Sequence, residues 1–256
     1  SAPLLLLAAS LIVAFRAGLW NLGVHGQFLL AAVVTAALAP ELTAQLPRGL
    51  SLFLCMFLAM AVGALWSALP ALLRANYGIN EIITTLMTNF LGISLANLLI
   101  KLAFRDPGTT VPQTLTLAAE ERLPKLFGTS IHLGLLIALV VLLLVQLLMT
   151  RSAFGLRLRI MGANPRAAIH AGLPVKRLTL AAFGLSAALA GLGGAVEILG
   201  IWGNVRADWN PAYGLLVIPL IFLARLNGLA VIFFIFFFAV ISIGGETAAR
   251  RADLPN

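Results

Sequence analysis

Apolar runs long enough to cross a lipid bilayer are the strongest constraint on how this chain folds. One of them, residues 131–150, reads IHLGLLIALVVLLLVQLLMT and contains no Asp, Glu, Lys or Arg. About 20 such residues span the roughly 30 Å hydrocarbon core of a bilayer as a helix. Charged residues make up only 10% of the 256, whereas about one quarter is typical of a soluble domain. The sequence therefore predicts an integral membrane protein.

The runs predict an all-α polytopic bundle, because backbone N–H and C=O groups in lipid need partners within the protein. Spans are expected at about 3–16, 22–39, 50–73, 79–104, 131–150, 180–201, 213–224 and 228–246. The 213–224 segment would be about 18 Å long as a helix, which is too short to cross. We expect a half-helix or a re-entrant segment there. Such broken segments are more typical of a transport path than of a passive anchor.

Residues 151–178 form a dense basic segment between two apolar runs. The segment reads RSAFGLRLRIMGANPRAAIHAGLPVKRL and holds six of the chain's 17 Lys and Arg residues, with no Asp or Glu. These six are Arg151, Arg157, Arg159, Arg166, Lys176 and Arg177. Short loops rich in Lys and Arg lie on the cytoplasmic side of membrane proteins. We therefore place this loop in the cytoplasm, with Arg16, Arg74 and Arg225 on the same side and the 105–128 loop outside.

The basic loop contains the caps of a short helix. Asn164 is a good N-cap residue, and Pro165 suits the first helical position. Gly172 favours the left-handed conformation after a helix, and Pro174 prevents continuation. The caps predict a helix of about seven residues, roughly 10 Å long. An isolated helix this short is unstable in water, so either it rests on the membrane helices as a capped turn or it docks on a partner.

The segment 18–27, GLWNLGVHGQ, does not fit a plain membrane span. Three glycines are interspersed with Asn21, His25 and Gln27 between two apolar runs. One interpretation is an ordinary loop with an interfacial Trp. The other is a broken helix whose polar groups reach a conduit, since glycine permits a break in the helix. His25 alone is weak support for proton coupling, and no cluster of His, Asp and Glu indicates a metal site.

A polar stripe follows at 80–97, NEIITTLMTNFLGISLAN. Glu81, Thr85 and Asn89 are spaced four residues apart and share one helix face. The stripe forms either hydrogen bonds between helices or part of a path lining. Further along, Ala187, Gly191 and Ala195 show the spacing of small residues that lets helices approach closely. Glu197 is an acid near the outer end of that span, and it is either interfacial or lines a vestibule.

Several function classes are excluded by missing motifs. The sequence has no GxxxxGK[ST] phosphate loop, no HExxH zinc motif and no GxSxG nucleophile motif, so an enzyme is disfavoured and no catalytic residue is assigned. The net charge of +8 is spread over loops as membrane topology requires, and it does not indicate nucleic acid binding. A secondary transporter or channel for a small polar solute remains an alternative, and a membrane scaffold is a second.

Five segments in order resemble a known family. They are GLWNLGVHGQFLLAA, NEIITTLMTNF, GLRLRIMGANPRAAIHAGLPVKR, SAALAGLGGAVEILG and YGLLVIPLIFLARLNGLAV. Together they resemble permease subunits of bacterial ABC importers in the branched-chain amino acid and ribose permease superfamily. Nucleoside and simple-sugar permeases are the most similar branch. The resemblance implies a type II importer fold with short discontinuous helices, located as a multi-pass protein in the bacterial inner membrane.

The resemblance also implies partners and site residues. Such permeases carry no cofactor of their own and dock on ABC ATPase subunits, which bind ATP and Mg²⁺. They pair with a second permease subunit, either a paralogue or an identical copy, and receive solute from an extracytoplasmic binding protein. The coupling helix, which would contact the ATPase, would comprise Gly162, Asn164, Pro165, Arg166, Ala167, Ala168, Ile169, His170 and Gly172. The polar candidates for the path are Asn21, His25, Gln27, Glu81, Thr85, Asn89 and Glu197.

Two departures from the family pattern affect these expectations. The family usually has Glu at the position of His25, within xNxGxEGQ, so the resemblance does not carry a charge-based role over to this residue. The family also carries a further span at each end. We therefore expect residues 1–256 to form a single transmembrane permease domain without a terminal span at either end, and residues 151–178 to form its cytoplasmic loop.

Overall fold

The computed structural model describes residues 2–126, 128–129 and 131–251, without the side chains of residues 246 and 248–251. Within these residues the chain folds into eleven α-helices. They are α1 Ala2–Arg16, α2 Val24–Gln45, α3 Arg48–Trp66, α4 Ala68–Tyr77, α5 Glu81–Leu98, α6 Leu133–Arg151, α7 Ala153–Ala163, α8 Pro165–His170, α9 Val175–Glu197, α10 Tyr213–Leu223 and α11 Gly228–Arg251. A π-helical turn extends α5 through Ala103, and another extends α9 through Trp202.

Six helical stretches among the described residues are long and apolar enough to cross a membrane. They are Val24–Gln45, Arg48–Tyr77, Glu81–Ala103, Leu133–Arg151, Val175–Trp202 and Gly228–Gly245. The helices α1 and α10 are apolar but shorter. The prediction of an all-α polytopic membrane protein with short discontinuous helices is therefore confirmed. The basic loop differs from expectation, because it contains the eleven-residue helix α7 in addition to the short capped helix.

The helix α9 lies at the centre of the bundle, and small residues let its neighbours come close. A side-chain carbon at Gly191 would overlap the carbonyl oxygen of Ala59 in α3, and one at Gly63 would overlap that of Ala187. The helix α2 approaches in the same way at Gly194. The predicted role in close helix packing is confirmed for Ala187 and Gly191. Such packing replaces the hydrophobic driving force that lipid does not supply.

Replacing Gly191 by Leu is expected to disrupt the bundle, because the added side chain has no space between α9 and α3. Forcing extra carbon atoms into a packed interior typically costs about 1–3 kcal/mol. Thermal unfolding in detergent measures the effect, and Gly184→Leu is the matched control. A side chain at Gly184, on the same helix, would meet no atom within 4 Å. Equal midpoints for the two variants would contradict the packing argument.

The 105–126 segment and the basic loop lie at opposite ends of α9. Backbone hydrogen bonds join Thr114 to Val205 and Leu123 to Leu199, at the end of α9 that follows Glu197. The helices α7 and α8 instead lead into Val175, where α9 begins. Because successive membrane spans run in alternating directions, the sequence also predicts that these two segments lie at opposite ends of the bundle.

The half-helix α10 begins inside the bundle. Its 11 residues correspond to about 16 Å, roughly half of the hydrocarbon core. The segment before it is held to the C-terminal end of α5 and its π-helical extension. There the Asp208 N–H donates to Asn97 Oδ1 at 2.8 Å, and Lys101 pairs with the Asp208 carboxylate at 3.3 Å. Gly214 in the first turn of α10 lies directly against His25 in the first turn of α2. Two helices therefore start next to each other within the bundle.

Candidate functional site

The short helix α8 has the predicted caps. Asn164 Oδ1 accepts the Ala167 N–H at 3.0 Å, and Pro165 occupies the first turn. At the other end Gly172 adopts a φ of +75°, and the Leu173 N–H donates to the Ala168 carbonyl at 3.0 Å. These bonds satisfy groups that a short helix otherwise leaves unpaired. The sequence was therefore sufficient to locate this helix.

The helix α8 is almost entirely exposed. Ala168 alone among its six residues is buried, and Ile169 has 60% of its surface exposed. The six basic residues of the loop are exposed too, and none of them forms an ion pair within the described part of the chain. Exposed apolar and unpaired basic groups side by side form a surface suited to docking.

The helix α7 connects this surface to the end of α1. A side-chain carbon at Gly162 would lie 2.6 Å from the Arg16 carbonyl oxygen and 2.7 Å from the Gly18 nitrogen. The two backbones are therefore in direct contact. Arg16 in turn donates from Nη2 to the Leu226 carbonyl at 2.8 Å, in the turn between α10 and α11. Arg16, Arg74 and the basic loop lie at one end of the bundle, as the sequence predicted.

The break between α1 and α2 is held by a buried polar cluster. Asn21 Nδ2 donates to Gln27 Oε1 and to Ser186 Oγ, both at 3.0 Å, and Gln27 Nε2 donates back to Asn21 Oδ1 at 3.2 Å. The Ser186 hydroxyl also lies 3.0 Å from that of Ser10. All four side chains are fully buried. Asn21 and Gln27 therefore satisfy each other, and in this conformation they contact no solvent.

The polar stripe on α5 forms hydrogen bonds with the backbone at the same break between α1 and α2. The Asn89 side chain accepts the Gly26 N–H at 2.7 Å, and Thr85 Oγ1 accepts the Leu22 N–H at 3.2 Å. The Gly26 N–H is in the first turn of α2, where the helix itself supplies no acceptor. A neighbouring helix thus provides the cap. Glu81 is different, because it pairs with Arg74 at 3.2 Å at the end of the bundle that carries the basic loop.

His25 and Glu197 belong to a third group, in which aromatic rings connect them. His25 Nε2 lies 2.6 Å from Asn210 Oδ1, and the His25 ring stacks on Phe28 with centroids 6.1 Å apart. Glu197 Oε1 accepts from Trp202 Nε1 at 3.0 Å and from Tyr213 Oη at 3.2 Å. Six of the seven polar candidates therefore fall into three groups, and Glu81 lies apart from them beside Arg74. Among the described residues no three His, Cys, Asp or Glu side chains gather as a metal site would require.

The sequence did not identify several members of these groups. Ser10 and Ser186 lie within apolar runs and carry no distinguishing signal. Asn210 was more accessible to prediction, because it precedes Pro211 just before the half-helix, a position typical of a polar turn. The sequence pattern does not reveal the helix α7, because Arg157 and Arg159 interrupt the apolar run that contains the buried Leu158 and Met161.

Comparison with known proteins gives a consistent family assignment. Residues 1–254 match the family described as the branched-chain amino acid transport system permease component. The chain is 34% identical to a glucose ABC transporter permease protein of Haloferax volcanii, over 99% of this chain and 69% of that protein. It is 32% identical to a guanosine ABC transporter permease protein of Bacillus subtilis, over 77% of this chain and 57% of that protein.

A nucleoside ABC transporter permease protein of Lactococcus lactis is 30% identical, over 79% of this chain and 58% of that protein. The matches thus span between 57% and 69% of the length of these three relatives. No solved structure matches the chain.

Proposed function

The chain belongs to the family of branched-chain amino acid transport permease components, and from this premise we propose that it is the permease subunit of an ABC importer. It is a multi-pass membrane protein and a transport component rather than an enzyme. The solute would be a nucleoside or a sugar-like molecule, a proposal supported by the printed names of the relatives. The membrane would be the bacterial inner membrane.

The exposed helix α8 carries this proposal. A capped helix of six residues with one buried side chain has little to stabilise it within the chain itself. An ABC ATPase subunit that binds ATP and Mg²⁺ would cover it. In this proposal Ile169 enters an apolar groove of the ATPase, and the unpaired arginines and lysines contact acidic groups around that groove.

The transport step would follow from how α8 is connected. ATP-driven closure of the ATPase pair would move α8 and α7 together as one lever. The backbone contact between Gly162 and Gly18 would pass that motion to the end of α1 and the break behind it. The break and the half-helix α10 would then rearrange beside the path, which we propose is shared with a second permease subunit. An extracytoplasmic binding protein would deliver the solute at the opposite end.

Copurification tests the function directly. The full-length protein is expected to copurify with an ABC ATPase, and the reconstituted assembly to import solute only when ATP is supplied. Binding protein loaded with solute is expected to stimulate ATP hydrolysis. Transport by the permease alone in liposomes would instead establish a secondary transporter or channel. Stable assembly with neither transport nor stimulated hydrolysis would indicate a scaffold.

Replacing Asn89 by Leu is expected to reduce uptake without loss of assembly, because the Gly26 N–H at the start of α2 loses its acceptor. A buried N–H left without a partner costs about 1–3 kcal/mol. Asn89→Asp keeps an acceptor and should retain more uptake. The control is Ser94→Ala, at an exposed position of the same helix. Unchanged uptake kinetics in Asn89→Leu would remove Asn89 from the proposed path machinery.

A further inference from the structure

The strongest unexplained feature is a pair of buried polar atoms beside the half-helix. His25 Nδ1 and Glu197 Oε2 are both enclosed and have no hydrogen-bond partner among the described residues. Their side chains are almost fully buried, at 3% and 2% exposure. Buried polar groups are normally paired, and an unpaired one requires an explanation. Two such acceptors in one aromatic cluster leave hydrogen-bonding capacity that a bound solute can use.

Both unpaired atoms are acceptors. Asn210 Oδ1 accepts the Ala212 N–H at 3.1 Å, which fixes this atom as the oxygen of the amide. His25 Nε2, 2.6 Å from the same oxygen, must therefore be the donor. In a neutral imidazole the remaining Nδ1 is then an acceptor. The Glu197 carboxylate oxygen accepts as well, so a solute that pairs with both atoms must offer hydrogen-bond donors.

Aromatic rings surround these acceptors. Phe28 lies 6.0 Å from Trp209 and 5.9 Å from Tyr213, measured between ring centroids, and Trp202 lies 6.4 Å from Trp209. The cluster extends from the buried His25 to the surface, where Trp202 has half of its area exposed. Such rings provide flat apolar faces on which a planar ring can stack.

We infer that this cluster is a contact site for a nucleoside on the transport path, defined by His25, Phe28, Glu197, Trp202, Trp209, Asn210 and Tyr213. The inference rests on the proposed function. A nucleobase provides the flat ring that the aromatic side chains would stack against. Its N–H and amino groups provide the donors that His25 Nδ1 and Glu197 Oε2 lack. A sugar also offers hydroxyl donors and can pack its C–H face on an aromatic ring, whereas a nucleobase is planar and can stack between two rings.

Binding measured without the binding protein isolates this site. In equilibrium dialysis the permease–ATPase assembly is expected to bind radiolabelled guanosine, with other purine nucleosides competing and glucose not competing. Trp209→Leu is expected to weaken binding about fivefold or more, because stacking on one aromatic ring is lost. Glu197→Gln is expected to weaken it about tenfold, since a charge-assisted acceptor is lost.

Controls separate binding from folding. Trp209→Phe keeps an aromatic face and should retain most of the affinity, whereas Glu120→Gln, an exposed acid outside the cluster, should change nothing. Absence of guanosine binding, equal competition by glucose, or unchanged affinity in both site variants would overturn the site. If ATP-driven uptake persists in those cases, the proposed function stands. An assembly that shows neither uptake nor ATPase association overturns both.

Discussion

Replacing Ile169 by Asp is expected to reduce ATP-driven uptake about tenfold or more. Ile169 is the large apolar side chain that α8 presents to solvent, with 60% of its surface exposed. In the proposed assembly this side chain would be buried in the ATPase, and a carboxylate there would be desolvated without a partner. The ATPase should therefore dissociate on purification. Copurification and uptake in reconstituted vesicles measure the two effects.

The controls use the same residue type and the same end of the bundle. Ile160→Asp places a carboxylate at an exposed position of α7, and it should leave assembly largely intact if contact is specific to α8. Ile169→Leu should retain both assembly and uptake. If Ile169→Asp copurifies with ATPase and transports normally, α8 is not the docking element and the proposed lever is wrong.

Replacing Gly162 by Val is expected to give a different failure, in which ATP hydrolysis continues while uptake falls about tenfold. The added side chain would be forced into the backbone of α1 at Arg16 and Gly18. Overpacking of this kind costs about 1–3 kcal/mol and would separate α7 from α1. The outer surface of α8 is unchanged, so the ATPase should still bind. The ratio of solute imported to ATP hydrolysed measures the coupling.

The neighbouring residue provides the control for Gly162. Ala163 is exposed, so Ala163→Val creates the same side chain on the same helix by adding two carbon atoms, and it should leave the coupling ratio unchanged. Gly162→Ala should fall between the wild-type protein and Gly162→Val. Normal coupling in Gly162→Val would show that motion reaches the membrane interior by another route.

The spans and the short helix were predictable because they depend on local chemistry. Hydrophobicity over about 20 residues determines which segments enter lipid, and it located α6 to within two residues at its start. The caps of α8 depend on Asn164, Pro165 and Gly172, which lie within eight residues of one another. The half-helix was predictable for a similar reason, since its length alone excludes a crossing.

The polar candidates could be found from the sequence, but their partners could not. The spacing of Thr85 and Asn89 placed them on one face, yet nothing local indicates that they cap the break before α2. Asn21 pairs with Gln27 six residues away, whereas Ser186 is 165 residues distant. Spacing alone groups Glu81 with this stripe. Its position at the start of α5 instead brings its carboxylate next to Arg74, with which it forms an ion pair.

The sequence by itself determined that the chain is a helical membrane protein with an interrupted interior and a capped helix in a basic loop. Those properties follow from hydrophobicity, caps and glycine, which act over a few residues. Only the tertiary structure decided that α7 touches the end of α1, that Asn89 caps another helix, and that His25 and Glu197 share an aromatic cluster. These contacts join residues far apart in the chain, so they depend on how the helices pack, which no local pattern specifies.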